Sequence, residues 1–397
     1  MNKIYKVAFA TGSRADYGIV RHYLSKIHHD PDVDLSILVT GALLDDAYGH
    51  QIDLIEKDGF HIGAKIRIPI STKSSYDVVH CMSVALDEFG KYFLSHRYDL
   101  LIVLGDRYEM LSVAIAAAMQ KTPILHIHGG EATFANYDEF IRHSISKMSL
   151  YHFTATDAYR DRVIQLGENP ERVFCLGALG AENCLRIDEK NVTDDVKNLP
   201  HKKYFVILFH PETLSNVDIT TQMDELIAAI KRYCGYEFVF LGSNADTHSE
   251  VIRERVYQFV SQNDNAIFYE NLHTDAYHYL LKNAICLIGN SSSGIIEAPS
   301  LGIFTINIGN RQEGRVRGNS VIDVKCEQAQ ISNAIEHVLA QYKTVKPTNP
   351  YYQTNSALNY YNTTKQLLKK LEADTSCPKS FYDIYQSKRR SISHELI

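Results

Sequence analysis

Paired cysteines are missing from this chain. The seven cysteines, at positions 81, 175, 184, 234, 286, 326 and 377, stand singly, none forms C-x-x-C, and their number is odd. That spacing excludes a disulfide framework or a cysteine-built zinc site and points to a reduced, cytoplasmic setting. Long hydrophobic runs are missing as well. No segment nears the roughly 18 consecutive apolar residues of a membrane span, and the opening MNKIYKVAFATGSRADYG turns polar too early for a secretory signal. No basic stripe exists: 41 Lys and Arg stand against 47 Asp and Glu, a net charge of −6. Non-specific nucleic-acid binding is therefore not expected. There is no low-complexity tract, and no G-x-G-x-x-G run to suggest a nicotinamide enzyme. A soluble protein of negative charge that binds an anion must gather its arginines locally.

What is present is a regular alternation. A chain of 397 residues exceeds one typical core, so two domains are expected. Short apolar runs (Val7–Ala10, Leu35–Val39, Leu100–Leu104, Pro123–Ile127, His152–Thr154) alternate with amphipathic stretches at 17–28, 77–94, 109–119, 139–148 and 157–166. Apolar runs at 204–209, 237–241, 266–269, 285–288 and 304–308 alternate again with helical patterns at 219–233, 247–260, 273–283 and 292–301. This is the pattern of α/β folds whose parallel sheets are buried on both faces. The expected architecture is two doubly wound Rossmann-like domains facing across a cleft, at 1–185 and 203–372, with a tail at 373–397. The charged stretch RIDEKNVTDDVKNLPHKK (186–203) reads as the connection between them, and helical patterns at 326–341 and 356–372 as closing the second domain.

Ligands of open α/β sheets sit outside the carboxyl ends of the strands, and polar motifs collect there. TGSRADYG places Arg14 at a helix start, where a guanidinium can hold a phosphate. LGDRYE places Asp106 and Arg107 after a strongly apolar strand; taken alone, Asp106 suits an N-cap slightly better than a catalytic carboxylate. LHIHGGEATFANYDEFIRH carries His126 and His128 in alternation on a strand, then Glu131, Asp138 at a helix start, and Arg142 one turn on. The H-x-H pair raises a metal, but no third ligand has matching spacing. Carboxylates beside histidines are how a site separates pKa values into an acid and a base. In the second half, FHPETLS brings His210 and LGSNAD brings Asn244 to strand ends. GNSSSGIIEAPSLG (289–302) then sets Ser291 and Ser292 at an expected helix N-terminus, a layout suited to an anion. Glu297, inside that helix, suits a ribose, and GNRQEGRVRG adds Arg311, Arg315 and Arg317.

Taken in order, TGSRADYGIV, GDRYE, HIHGGEATFANYDEFIRHSISKMS, LGALGAEN, FHPETLS, GSNAD, GNSSSGIIEAPSLG and INIGNRQEGRVRG resemble the hydrolysing UDP-N-acetylglucosamine 2-epimerases of bacterial sialic acid biosynthesis, and FYDI near Phe381 resembles that family's tail. The resemblance implies a glycosyltransferase-B-like fold. It also implies conversion of UDP-N-acetylglucosamine and water into UDP and N-acetylmannosamine, with neither a metal nor a redox cofactor. Asp106, Glu131 and Asp138 match acid–base positions, with Arg142 orienting Asp138 or the substrate and His210 meeting the diphosphate or the leaving group. Arg14, Ser291, Ser292 and Arg315 match phosphate contacts, and Glu297 the ribose carboxylate. Some relatives carry a carboxylate where this chain has His128, which leaves His128 and Glu131 as alternatives for one role. A homodimer or homotetramer is expected on the same ground. A diacetamido-trideoxy or GDP-linked sugar substrate, or a glycosyltransferase of the same fold, are the alternative readings.

Overall fold

The computed structural model describes residues 3–45, 51–70, 74–133, 137–201, 203–211, 218–242, 249–373 and 379–384; Asn244 lies outside them. The chain divides into two compact units, one comprising residues 1–131, 137–179 and 355–397, the other 132–136 and 180–354.

The first unit runs β1 (Tyr5–Thr11), α1 (Arg14–His28), β2 (Val33–Val39), α2 (Asp53–Lys57), β3 (Ile62–Lys65), α3 (Ser75–Ser95), β4 (Leu100–Leu104), α4 (Tyr108–Met119), β5 (Ile124–Ile127), α5 (Asp138–Met148), β6 (Tyr151–Thr154), α6 (Asp157–Gln165) and β7 (Val173–Cys175). Its sheet is parallel with order β3-β2-β1-β4-β5-β6-β7, so the chain reverses direction across the sheet between β1 and β4. Every residue of β4, LLIVL, is buried, as a strand covered on both faces requires. Helix α1 shows how local chemistry sets an element. Ser13 caps it by accepting the Asp16 N–H, and Tyr17, Val20, Tyr23, Leu24 and Ile27 form one buried stripe.

After α7 (Leu179–Asn183) and α8 (Asp194–Asn198), the second unit runs β8 (Tyr204–Leu208), α9 (Ile219–Ile230), β9 (Glu237–Leu241), α10 (Ser249–Gln262), β10 (Ala266–Tyr269), α11 (Thr274–Lys282), β11 (Cys286–Gly289), α12 (Ser293–Ile296), β12 (Phe304–Ile308), β13 (Val321–Val324) and α13 (Gln328–Gln341). Its parallel sheet has order β10-β9-β8-β11-β12-β13, with the reversal between β8 and β11. Both units are doubly wound, as the alternation predicts. Among the described residues no helix is long and apolar enough to cross a membrane.

Three expectations are corrected. The stretch 186–203 does not behave as a loose connection: Val192, Val196 and Leu199 are buried in the core of the second unit with Tyr204, Leu280 and Leu287. Val192 reaches this core from extended backbone ahead of α8 (Asp194–Asn198), and Val196 and Leu199 from the helix and its C-cap, so few apolar residues suffice to anchor the stretch. The final helix α14 (Ser356–Ala373) does not close the second unit. It packs on the first, where Tyr360 and Leu367 join the core of Tyr23 and Phe153. Tyr23 and Thr364 hydroxyls meet there at 2.7 Å, and Lys365 Nζ pairs with Asp30 Oδ2 at 2.7 Å. The helix expected over 292–301 is confined to Ser293–Ile296, followed by turns.

Candidate active site

The first unit gathers charge where β1, β4 and β5 end. Arg142, from the second turn of α5, is 1% exposed. Its Nε donates to Asp106 Oδ2 at 2.8 Å and its Nη2 to the same oxygen, while Nη1 donates to the Glu131 carbonyl at 2.8 Å and to Glu139 Oε2 at 2.7 Å. Burial alone would lower the pKa of this guanidinium; Asp106 and Glu131 reverse that and leave it above its ordinary value. Asp106 is therefore not the N-cap of α4, a position held by Arg107. Both Arg142 contacts fall on Oδ2, which leaves Oδ1 as the oxygen open to a proton. Asp138 is the first residue of α5 and is half-buried.

His128 does not share a strand face with His126. β5 ends at Ile127, and His128 has a positive φ of 67°, which turns its side chain away from the strand alternation. Its Nδ1 stands 3.0 Å from Glu131 Oε1, so the two alternative residues form one pair. His126 is wholly buried: Nε2 lies 2.8 Å from the Gly105 carbonyl and Nδ1 3.0 Å from Ser146 Oγ. A carbonyl can only accept, so Nε2 carries the proton and Nδ1 accepts from the serine. Burial holds the His126 pKa down at about 3 and keeps the ring neutral. Among the described residues no group of three or more His, Cys, Asp or Glu is set to hold a metal ion.

Around TGSRAD the structure adds carboxylates that sequence reading overlooks. Arg107 Nε pairs with Glu109 Oε1, and Glu109 is 1% exposed. A Cβ on Gly12 would fall 2.4 Å from that same Oε1, so the glycine serves the approach of a carboxylate. Asp16 is half-buried as a residue, but its Oδ2 is fully enclosed without a hydrogen-bond partner. Burial lifts its pKa to about 6 against the pull of Arg107. Arg14 is exposed at the first position of α1.

The second unit is built differently. Gly289, at the end of β11, has φ 149°, and a Cβ there would fall 1.9 Å from the Leu208 carbonyl; only glycine lets the strands close at this point. Asn290 follows, fully buried. Its Oδ1 accepts the His210 N–H at 2.7 Å and its Nδ2 donates to the His210 carbonyl at 2.8 Å, stitching the two strand ends together. The Asn290 carbonyl accepts from Arg311 Nη1 at 3.1 Å and Gln312 Nε2 at 2.9 Å. His210 is 5% exposed, its Nδ1 has no partner among the described residues, and burial together with Arg311 lowers its pKa to about 3. In the free chain it is a neutral hydrogen-bonding group at pH 7.

Ser292 takes the N-cap position with helical backbone angles and makes no side-chain cap bond. Ser291 does more of the local bonding: its Oγ accepts the Ser293 N–H at 3.4 Å and lies 3.0 Å from Ser293 Oγ, which in turn meets Tyr277 Oη at 2.5 Å. Glu297 follows α12, its Oε2 3.6 Å from His278 Nε2. Arg315 is half-buried in the 309–318 loop, and Arg317 pairs with Asp323 at 2.5 Å and donates to the Gln312 carbonyl at 3.0 Å. Sequence reading missed Asn290, inside a quoted motif, because an asparagine after a strand looks like a turn residue. It missed Glu139, although the spacing of three from Arg142 is the signal for a helical ion pair.

These strand-end residues lie in a chain with close relatives. The family model described as UDP-N-acetylglucosamine 2-epimerase matches residues 25–364. Polysialic acid biosynthesis protein P7 of Escherichia coli is 46% identical over 386 residues, 96% of this chain and 97% of that protein. The UDP-N,N'-diacetylbacillosamine 2-epimerase (hydrolyzing) of Legionella pneumophila is 36% identical over 371 residues, 92% of this chain and 96% of its own. Among solved structures, UDP-GlcNAc 2-epimerase from Neisseria meningitidis bound to UDP-GlcNAc matches with a TM-score of 0.76 at 17% identity, covering 92% of this chain and all 100% of the other, a likeness of fold. With a family match over most of its length and a relative at 46% identity, the chain belongs to the UDP-N-acetylglucosamine 2-epimerase family.

Proposed function

We propose that the chain is a hydrolysing 2-epimerase acting in the cytoplasm on UDP-N-acetylglucosamine, releasing UDP and N-acetylmannosamine for sialic acid synthesis. The observation that carries the reading is the Arg142 hub, which holds Asp106 by one carboxylate oxygen and the Glu131 backbone by the other side of the guanidinium. C2 of the sugar is not next to a carbonyl, so its proton leaves only as the C1–O bond breaks and charge builds on the departing diphosphate. Asp106 Oδ1 takes the C2 proton, and UDP leaves with the bonding pair of C1–O, giving a 2-acetamidoglucal. Water then adds at C1 and a proton returns to C2 from the other face, delivered by the Glu131–His128 pair. Asp138 is the third acid–base candidate, at the start of the helix that carries Arg142. In the second unit Ser291, Ser292, Arg315 and Arg14 of the first unit are the proposed phosphate contacts, with Glu297 on the ribose. His210, neutral in the free chain, is the proposed hydrogen-bonding partner of the leaving oxygen.

The test is an NMR time course with UDP-N-acetylglucosamine in deuterated water. Release of UDP and of N-acetylmannosamine bearing deuterium at C2 is the expected result. Accumulation of UDP-N-acetylmannosamine would place the chain with non-hydrolysing enzymes, and UDP release without deuterium would make it a transferase. A second reading, a UDP-linked diacetamido sugar as substrate, is favoured by the 36% identity to the Legionella pneumophila relative; it predicts turnover of that sugar nucleotide in the same assay where UDP-N-acetylglucosamine is inert.

A further inference from the structure

Beyond the end of α14, residues 379–384 lie against the first unit, and their contacts are not those of a loose tail. Lys379 Nζ donates to Glu168 Oε2 at 2.6 Å, to the Ser146 carbonyl at 3.2 Å and to the Ser149 carbonyl. The last two belong to the C-terminal end of α5 and its cap, where a cation is favourable; the Ser146 carbonyl also accepts the Ser149 N–H at 3.1 Å. Glu168 is 2% exposed and is shared: Lys147 Nζ donates to its Oε1 at 2.7 Å, and His152 Nε2 lies 3.2 Å from its Oε2. Burial would raise the Glu168 pKa, but the bonds from His152, Lys147 and Lys379 outweigh it and hold it at about 2. Phe381 packs flat enough on Gly167 that a Cβ there would fall 2.2 Å from the ring, and Lys147 Nζ sits 5.2 Å above the ring centre. The Tyr382 N–H donates to the Gly167 carbonyl at 2.8 Å. Gly167 has φ +86°, so this docking surface requires glycine on two counts.

The same helix end connects inward. The Ser146 carbonyl accepts from Lys379 and its hydroxyl donates to His126 Nδ1, and His126 Nε2–H donates to the carbonyl of Gly105, the residue before Asp106. One turn before Ser146 on α5 stands Arg142, which holds Asp106 directly. Two buried routes therefore lead from Lys379 to the Asp106 loop, one through the helix backbone and one through Ser146 and His126.

We infer that Lys379 is a positioning residue: by clamping the C-terminal end of α5 it fixes Arg142 and the Ser146–His126–Gly105 chain, and so the placement of the Asp106 carboxylate. Its catalytic consequence rests on the proposed epimerase reading; its structural consequence does not. A misplacement of about 1 Å in a reacting group is enough to slow a reaction about 100-fold.

The experiment compares wild type with Lys379→Met, Lys379→Arg and Ser146→Ala in the full chain, by UDP-N-acetylglucosamine turnover and by amide hydrogen exchange. Lys379→Met is expected to lower kcat tenfold or more with KM nearly unchanged, and Lys379→Arg to restore most of it. The Gly105 and His128 amides, bonded to Ile127 and Phe153 carbonyls, should exchange faster in Lys379→Met. Ser146→Ala cuts the His126 link but leaves both carbonyls for Lys379, so it should speed Gly105 exchange and lower kcat while Tyr382 stays protected; it carries the test if Lys379→Met does not fold. Unchanged kcat and unchanged Gly105 exchange in both variants, with only Tyr382 exposed in Lys379→Met, would overturn the inference. If wild type is inert toward UDP-N-acetylglucosamine, the epimerase reading fails and the exchange comparison still decides this one.

Discussion

Where β1 and β4 part in the first unit, carboxylic and guanidinium side chains gather at the strand ends: Asp16, Arg107, Glu109 and Asp106, with Arg142 behind them. Where β8 and β11 part in the second, the strands end in His210 and Asn290, joined by two neutral hydrogen bonds at 2.7 and 2.8 Å. The folds of the two units are alike; what differs is the chemistry placed at the same topological point. Buried charge must be paired, and removing one partner strands the other in a medium that cannot solvate it. A neutral stitch instead makes a rigid frame and leaves the cations, Arg311 and Arg315, on the loop beyond. The first arrangement suits moving protons and the second suits receiving an anion.

The largest break in that contrast is expected from Asp106→Asn. Turnover should fall by about 10²–10⁴-fold, the usual share of a general acid or base, while UDP affinity measured by calorimetry stays within about twofold. Turnover within a few-fold of wild type would remove Asp106 from the proton-handling set. Next come two substitutions compared by urea unfolding at neutral pH. Arg142→Met leaves Asp106 and Glu139 without their cation and should cost about 3–5 kcal/mol. Asn290→Ala leaves the His210 backbone N–H and carbonyl unpaired and should cost about 2–3 kcal/mol. Equal costs would mean that the charged and neutral switch points are not energetically distinct. Smaller again is Ser291→Ala with Ser292→Ala, expected to weaken UDP binding about tenfold; the Ser292 hydroxyl makes no cap bond to lose, and losing the Ser291 hydroxyl's bonds to Ser293 should cost about 0.5–1.5 kcal/mol of stability. Unchanged affinity would take the serines out of the anion site.

The strands at the sheet centres were legible because a run such as LLIVL is buried on both faces and leaves no ambiguity. The edge strands β3 (IGAK) and β13 (VIDV) were not, because most of their residues are only half-buried and their sequences carry no apolar run. The placement of α14 was illegible for a different reason: an apolar stripe does not name its partner, and the polar contacts that tie it to the first unit, Lys365 with Asp30, Thr364 with Tyr23 and Tyr360 with the Gly177 carbonyl, join residues far apart in the chain. At the site, position was legible and partnership was not. Strand-end rules bring Asp106, Glu131, His210 and Ser291 forward, but no spacing announces that Arg142 will take Asp106 across 36 residues. The expected length of the helix after Ser292 was overestimated because Ala298, Leu301 and Ile303 are apolar; they are buried in the second unit's core by turns.

The pH dependence of stability gives the finest cut between the two units. His126 and His210 are held at about 3 by burial, and burial lowers the pKa of His152 as well. The unfolded chain protonates each near 6.5, so below that pH the unfolded state binds more protons and stability falls as pH falls. The slope is about 1.4 kcal/mol per pH unit for His126 and for His210, and His152 acts in the same direction. Two of these residues are in the first unit and one in the second. Asp16 works the other way: its folded pKa of about 6 lies above its unfolded value, so between about 6 and 4 the folded state binds more protons and acid adds stability. In wild type it offsets His126 between about pH 6 and 4.5. Asp16→Asn removes the offset. The first unit should then lose about 1.4 kcal/mol more per pH unit in the variant than in wild type, read by exchange of β4 amides, while β11 amides in the second unit serve as the unchanged reference. The same loss in variant and wild type would mean that the enclosed Asp16 oxygen carries no raised pKa, and that the charge at this switch point is better solvated than its burial implies.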